Sequence, residues 1–260
     1  MFLEPVQYAL GALSGGIVGV SLGLFGGGGS ILAVPLMIYL VGVPSAHLAI
    51  GTSAVSVAAN AITGLANHAR NGRVNWRCAA IFSFAGVIGA SFGASLGKAI
   101  DGRQLLVLFA GVMVVVAALM FRRRHIEGDP ATVCTREKLP KVLGVGGGTG
   151  VLSGFFEIGG GFLIVPGLIA STGMPMINAV GSSLVAVTAF GMTTAVSYAM
   201  SDMVDWPLAV AFVGGGIVGG YSGASMAGLL ESRKGTLNVL FALMIVIVAT
   251  YMAWRNISGS

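Results

Sequence analysis

Phe25-Gly-Gly-Gly-Gly-Ser-Ile-Leu-Ala-Val-Pro35 and Phe156-Glu-Ile-Gly-Gly-Gly-Phe-Leu-Ile-Val-Pro166 are two versions of one motif, a glycine tract anchored by a following proline. Each lies early in a half of the chain built almost wholly from membrane-length apolar segments. Glycine-interrupted hydrophobic segments at matching places in two halves point to a secondary transporter and to its binding site.

The repeat extends well beyond the tracts. A shift of 130 residues lays Gly51-Thr-Ser over Gly181-Ser-Ser and Val74-Asn-Trp over Val204-Asp-Trp. It also lays Gly86-Val-Ile-Gly-Ala over Gly216-Ile-Val-Gly-Gly, Gly93-Ala-Ser over Gly223-Ala-Ser, and Asp101-Gly-Arg-Gln over Glu231-Ser-Arg-Lys. One extra residue before Gly51 brings the tracts and prolines into line. Several motifs in one register mark an internal duplication.

Composition sets the solvent. Hydrophobic residues make up 55% and charged residues 9% of the chain, whereas soluble proteins carry about 25% charged residues. The 42 glycines fit packed membrane helices. Lipid offers backbone groups no partner, so such segments must be helical or enclosed by helices. The expected fold is an all-α polytopic membrane protein of two homologous halves, residues 1–121 and 142–260, joined by a hydrophilic linker at 122–141. Apolar elements fall near 7–24, 30–42, 48–68, 78–99 and 105–121, then near 142–156, 161–171, 178–199, 207–229 and 236–253. Those at 30–42 and 161–171 are shorter than the 17 to 25 residues of a full span and each holds a proline, so both read as broken helices near the midplane.

The net charge of +5 does not indicate nucleic acid. Arg70, Arg73, Arg77, Arg233, Lys234 and the six Lys and Arg of the linker sit in short segments that would share one side, the cytoplasm under the positive-inside rule. With five elements crossing per half the repeats are inverted and both termini lie outside; with four they are parallel. The charge pattern barely separates the two, and the length of the 35-residue stretch around the first tract favours inversion. The N-terminal residues lack the basic region of a cleaved signal peptide. Cys78 and Cys134 match no metal spacing, no cofactor motif is present, and the oligomeric state is left open, a homo-oligomer included.

For the site, the amides of Gly26, Gly27, Gly28 and Gly29, with Ser30, and of Gly159, Gly160 and Gly161 are expected to turn towards an anion. Thr52, Ser56, Asn60, Thr63 and Asn67 line one helical face, with Ser182, Thr193 and Ser197 at corresponding places and Ser183 beside Ser182. Thr52, Ser53, Asn60, Ser182 and Ser183 are the expected substrate-binding side chains. Glu157 is the acid placed inside an apolar segment, and a role in proton coupling follows from that position. His47 reads as a solvated loop histidine, and His68 joins Arg70 and Arg73 in fixing topology. Gly89-Ala-Ser-Phe-Gly93 imitates a nucleophile elbow but lies in a helix without a histidine base. Gly144-Val-Gly-Gly-Gly-Thr-Gly150 lacks the ending of a phosphate loop. Gly86, Gly89, Gly93 and Gly97 read instead as a small-residue packing face, echoed by Gly216, Gly219, Gly220 and Gly223. No enzyme signature survives.

Gly23-Leu-Phe-Gly-Gly-Gly-Gly-Ser-Ile-Leu-Ala-Val-Pro35, Gly51-Thr-Ser53 and their counterparts around Gly159, Pro166 and Gly181 to Ser183 together resemble the TauE/SafE family of sulfite and organosulfonate exporter-like proteins. The resemblance covers nearly the whole chain. It implies transport of a small anion, such as sulfite, a sulfonate like sulfoacetate, or a related carboxylate, across the bacterial inner membrane. A small-anion channel is the alternative reading, since the same polar stripe would suit a continuous pore.

Overall fold

A computed structural model describes residues 4–97, 102–122, 134–155, 161–231 and 236–258. Every regular element among them is helical. The first half contains α1 (Pro5–Phe25), a 3-10 segment (Gly26–Leu32), α2 (Ala33–Tyr39), α3 (Ala46–Arg70), α4 (Trp76–Gly97) and α5 (Gly102–Arg122). The second contains α6 (Leu139–Phe155), α7 (Gly161–Thr172), α8 (Met176–Ala199), α9 (Trp206–Glu231) and α10 (Thr236–Ser258). The apolar elements read from the sequence all appear, with boundaries shifted by a few residues.

Local chemistry sets the helix starts. Glu4 and Gln7 form a capping box ahead of Pro5. Asn75 accepts from the Cys78 amide at 3.1 Å and Asp205 from the Leu208 amide at 3.0 Å, so the two repeat-related residues start α4 and α9 in the same way.

The 35-residue run Pro5–Tyr39 is helical and apolar throughout, yet it is not one rod. Gly29 packs on the backbone of Ser21 and Leu22, and Gln7 Nε2 donates to the Val41 carbonyl at 3.1 Å. The chain therefore doubles back at the glycine tract. Gly26 takes φ +60°, a left-handed value that a side chain resists. The second half repeats the hairpin: Lys138 Nζ donates to the Thr172 carbonyl at 2.8 Å. Lys138 and Thr172 are the repeat counterparts of Gln7 and Val41. Gly42 and Gly173, with φ of 79° and 78°, then turn each chain towards its next helix.

Contacts between the halves are exchanged in pairs. The most extensive are α1 on α9 and α4 on α6, which map onto each other when the halves are swapped. α3 packs on α8 and α5 on α10, each helix on its own counterpart. Glycines set the close approaches. Gly11, Gly15, Gly19 and Gly23 of α1 meet Leu208, Phe212, Gly216 and Gly220 of α9 in order, so these helices are parallel. Gly146, Gly150 and Gly154 of α6 meet Phe82, Gly86 and Ala90 of α4 in the same fashion. The small-residue face read from the sequence is thus a helix interface.

The core holds fully buried Phe82, Phe162, Phe212 and Phe241, while Phe84, Phe92, Val218 and Leu229 stand exposed on α4 and α9. An apolar exterior around a packed interior suits lipid as solvent. Among the described residues, five helical runs are long and apolar enough to cross a membrane, beside shorter apolar helices such as Gly161–Thr172. Trp76 and Trp206, each 56% exposed, begin α4 and α9 at positions suited to the bilayer interface. Cys78 and Cys134, which carried no signal in the sequence, are joined by a disulfide that ties the linker to α4.

Candidate functional site

The tip of the first hairpin meets the start of α7 inside the bundle. The Gly27 carbonyl and Ser30 Oγ lie directly against Gly161, the first residue of α7, with no room for a side chain between them. Ser30 Oγ donates to the Gly27 carbonyl at 2.8 Å. The Gly27 amide donates to Ser183 Oγ at 2.9 Å, and that hydroxyl donates onward to the Val180 carbonyl at 2.8 Å. Ser183 thus fastens the first tract to α8. Gly26 backs onto Ser183 and Val180, Gly28 lies under the Phe241 ring, and Gly29 lies on α1. The first tract is wound into a buried 3-10 segment. Glu157, Gly159 and Gly160 lie outside the described residues.

Thr52 and Ser182 use their oxygens on the opposite half. Thr52 Oγ1 accepts from the Asp205 amide at 3.0 Å, and Ser182 Oγ accepts from the Asn75 amide at 2.9 Å. These are one interaction with the halves exchanged. Beside them, Gly51 packs on the Met203 carbonyl and Gly181 on the Arg73 carbonyl. Two equivalent corners result, one where the α8–α9 turn meets the start of α3, the other where the α3–α4 turn meets the start of α8. The second is the basic end, with Arg73 and Lys138.

Much of the polar stripe is satisfied within its own helix. Ser56 Oγ donates to the Thr52 carbonyl, Ser53 Oγ to Ile50 and Thr63 Oγ1 to Asn60. Asn60 differs: it is 2% exposed, packs on Gly216, and its amide oxygen and nitrogen have no hydrogen-bond partner among the described residues.

A cavity of about 40 Å³ lies between the 3-10 segment, α2, α3 and α8, with Ser30, Ser53 and Thr194 as its hydroxyl-bearing walls. Such a volume holds a water molecule or two, so a multi-atom anion requires the walls to part. Val34, Ile50, Ala54, Gly191 and Thr194 are half-buried here. Their repeat counterparts Val165, Val180, Leu184, Ala61 and Gly64 are all buried, and Leu184 fills the place against Gly64. One niche is open and its twin is closed.

Of the expected binding residues, Gly27, Ser30, Gly161 and Ser183 come together, Ser53 joins Ser30 at the cavity, and Thr52 and Ser182 stand at the two corners. His47 is exposed. His68, read as a topology-fixing residue, is instead 1% exposed, with Nε2 3.2 Å from the Gly23 carbonyl. Its apolar neighbours across the bundle come from distant parts of the chain, so no local signal marked it. The Gly144–Gly150 stretch is an interior part of α6, and Ser91 bonds the Val87 carbonyl within α4.

The sulfite exporter TauE/SafE family model matches residues 11–252. A probable membrane transporter protein of Xylella fastidiosa (strain 9a5c) is 50% identical over 94% of both chains. Probable membrane transporter proteins of Bacillus subtilis (strain 168; 82% of this chain, 88% of the relative) and of Haemophilus influenzae (92% and 96%) are each 29% identical. No solved structure matches. With its glycine-tract hairpins, membrane-length helices and near full-length match to probable membrane transporter proteins, the chain is a multi-pass member of the sulfite exporter TauE/SafE family.

Proposed function

We propose that the protein is a secondary transporter that exports a small sulfur-containing anion, sulfite or an organosulfonate such as sulfoacetate, across the bacterial cytoplasmic membrane. The halves are read as inverted repeats, a reading supported by the antiparallel packing of α3 on its counterpart α8, where Gly51, Ala58 and Gly64 meet Tyr198, Gly191 and Leu184 in order. The basic end is assigned to the cytoplasm by its Arg and Lys residues. Transport proceeds by alternating access, with the crossing of the tracts at Gly27 and Gly161 as the fixed point.

The observation carrying this reading is the difference between the twin niches. A carrier built from two related halves reaches its opposite state when each half adopts the arrangement of the other. Here the niche at Ser53 and Thr194 is open while that at Leu184 and Gly64 is closed. Ser30, Ser53 and Thr194 offer hydroxyl donors with no fixed positive charge, which suits brief binding of an anion. Burying an anion without donors costs several kcal/mol.

Counterflow tests the proposal. Proteoliposomes loaded with unlabelled sulfite or sulfoacetate are expected to accumulate external label transiently. Rapid leakage with no counterflow identifies a channel. Silence with every sulfur anion removes the substrate assignment. Glu157→Gln is expected to alter the response to a pH gradient if this residue carries the coupling proton; an unchanged response removes it from that role.

A further inference from the structure

The two corners carry different side chains at one equivalent place. At the basic end, His68 Cβ stands against Gly181 beside the Arg73 carbonyl. At the other, Tyr198 stands against Gly51 beside the Met203 carbonyl. His68 and Tyr198 are repeat counterparts. An imidazole changes charge near neutrality, whereas a phenol ordinarily does so near pH 10. Of the two corner side chains, the one at the closed end is therefore the one that responds to physiological acidity.

The surroundings of His68 make its charge matter. The ring is sealed between α1, α3 and α8, and Nε2 lies 3.2 Å from the Gly23 carbonyl, in the last turn of α1 before the chain breaks at Gly26. From α1 it meets Gly23, and from α8 Gly181, neither of which carries charge. The α3–α4 turn brings Arg73, whose guanidinium lies against Gly228 of α9. Glu231 ends α9 a turn further on, Arg70 on α3 itself is exposed, and Glu157 belongs to the segment outside the described residues. Closing this corner over a charged ring strips the ring of water. Protonation and closure therefore compete.

We propose that His68 is a proton-binding site that governs the basic end: with the ring neutral the corner and the Leu184–Gly64 niche stay closed, and a proton on the ring opens them. The proposal rests on the alternating-access reading and adds to it a proton acceptor in the described bundle. Because the open corner hydrates the cation, the open form binds the proton more tightly, and by linkage acid favours opening.

Maleimide labelling tests this in oxidised protein, where Cys78 and Cys134 are bonded to each other. Leu184→Cys reports on the closed niche and Ala54→Cys on the open one. As pH falls from 8 to 5.5, Leu184→Cys is expected to label faster, by at most about tenfold per pH unit for one proton, while Ala54→Cys slows. His68→Gln and His68→Tyr, the latter importing the side chain of the other corner, are expected to flatten both responses. His47→Gln is expected to leave them intact. The proposal is overturned if both responses survive in the His68 variants, if the wild-type background shows none, or if both positions speed up together. Should the variants fail to fold, a ring-carbon NMR titration of His68 in unmodified protein decides: no titration between pH 5 and 8 overturns it. Labelling that responds to pH in a protein without counterflow for any sulfur anion supports the His68 assignment and removes only the substrate reading.

Discussion

The open and closed niches are built from nearly the same amount of side chain, differently placed. Ala54 and Thr194 face each other in the open niche, Leu184 and Gly64 in the closed one, and each pair has the same number of side-chain heavy atoms. In one the bulk is shared between α3 and α8. In the other it is concentrated on α8 and reaches across to a bare helix. Openness therefore depends on how the helices are disposed as well as on how much fills the gap, and packed helices adopt discrete arrangements rather than a continuum.

The comparison breaks most sharply at Leu184. Leu184→Ala removes a fully buried side chain, and about 2–5 kcal/mol of stability is expected to be lost, read by thermal unfolding in detergent. Adding Gly64→Thr restores the lost bulk in the manner of the open niche and is expected to recover part of that loss. If labelling of Ala54→Cys in that background then slows, side-chain placement sets which end is open; if it does not, helix disposition does.

Ser183→Ala is expected to cost about 1–3 kcal/mol, because the buried Gly27 amide loses its acceptor. Counterflow is expected to fall with it. Ser53→Ala, which removes a donor bonded within its own turn, is expected to cost less stability, and a drop in counterflow from it would mark substrate contact.

A smaller effect compares the corners. Thr52→Val and Ser182→Ala each take the acceptor from one turn amide, and each is expected to cost about 1 kcal/mol. A clearly unequal pair of unfolding shifts would show that the corners differ in more than His68 and Tyr198. The smallest is at Gly148, where a Cβ meets nothing within 4 Å. Gly148→Ala is expected to leave the fold intact and to add up to about 1 kcal/mol through helix propensity, while the same change at Gly150, against the Gly86 backbone, weakens it.

The helices, the duplication and the glycine faces were legible because each is written in neighbouring residues. Apolar length, tract position and the three- and four-residue spacing of Gly86, Gly89, Gly93 and Gly97 need no knowledge of distant chain. What Thr52 and Ser182 bond to was not legible, since their partners Asp205 and Asn75 lie 153 and 107 residues away. The burial of His68 was not legible for the same reason: its place beside Arg70 at a helix end gives no sign that α1 and α8 close around it. Likewise the tract announced a break, but the full reversal shows only in contacts such as Gln7 with Val41.

The exchange of partners between halves has a consequence for biosynthesis. α1 presents its glycine face to α9, which begins about 200 residues later. A ribosome releasing this chain must therefore deliver the whole first half and then α6 to α8 to the bilayer before that face has α9 to pack on. Assembly is expected to wait for α9, and two separately translated halves should find each other and rebuild the bundle.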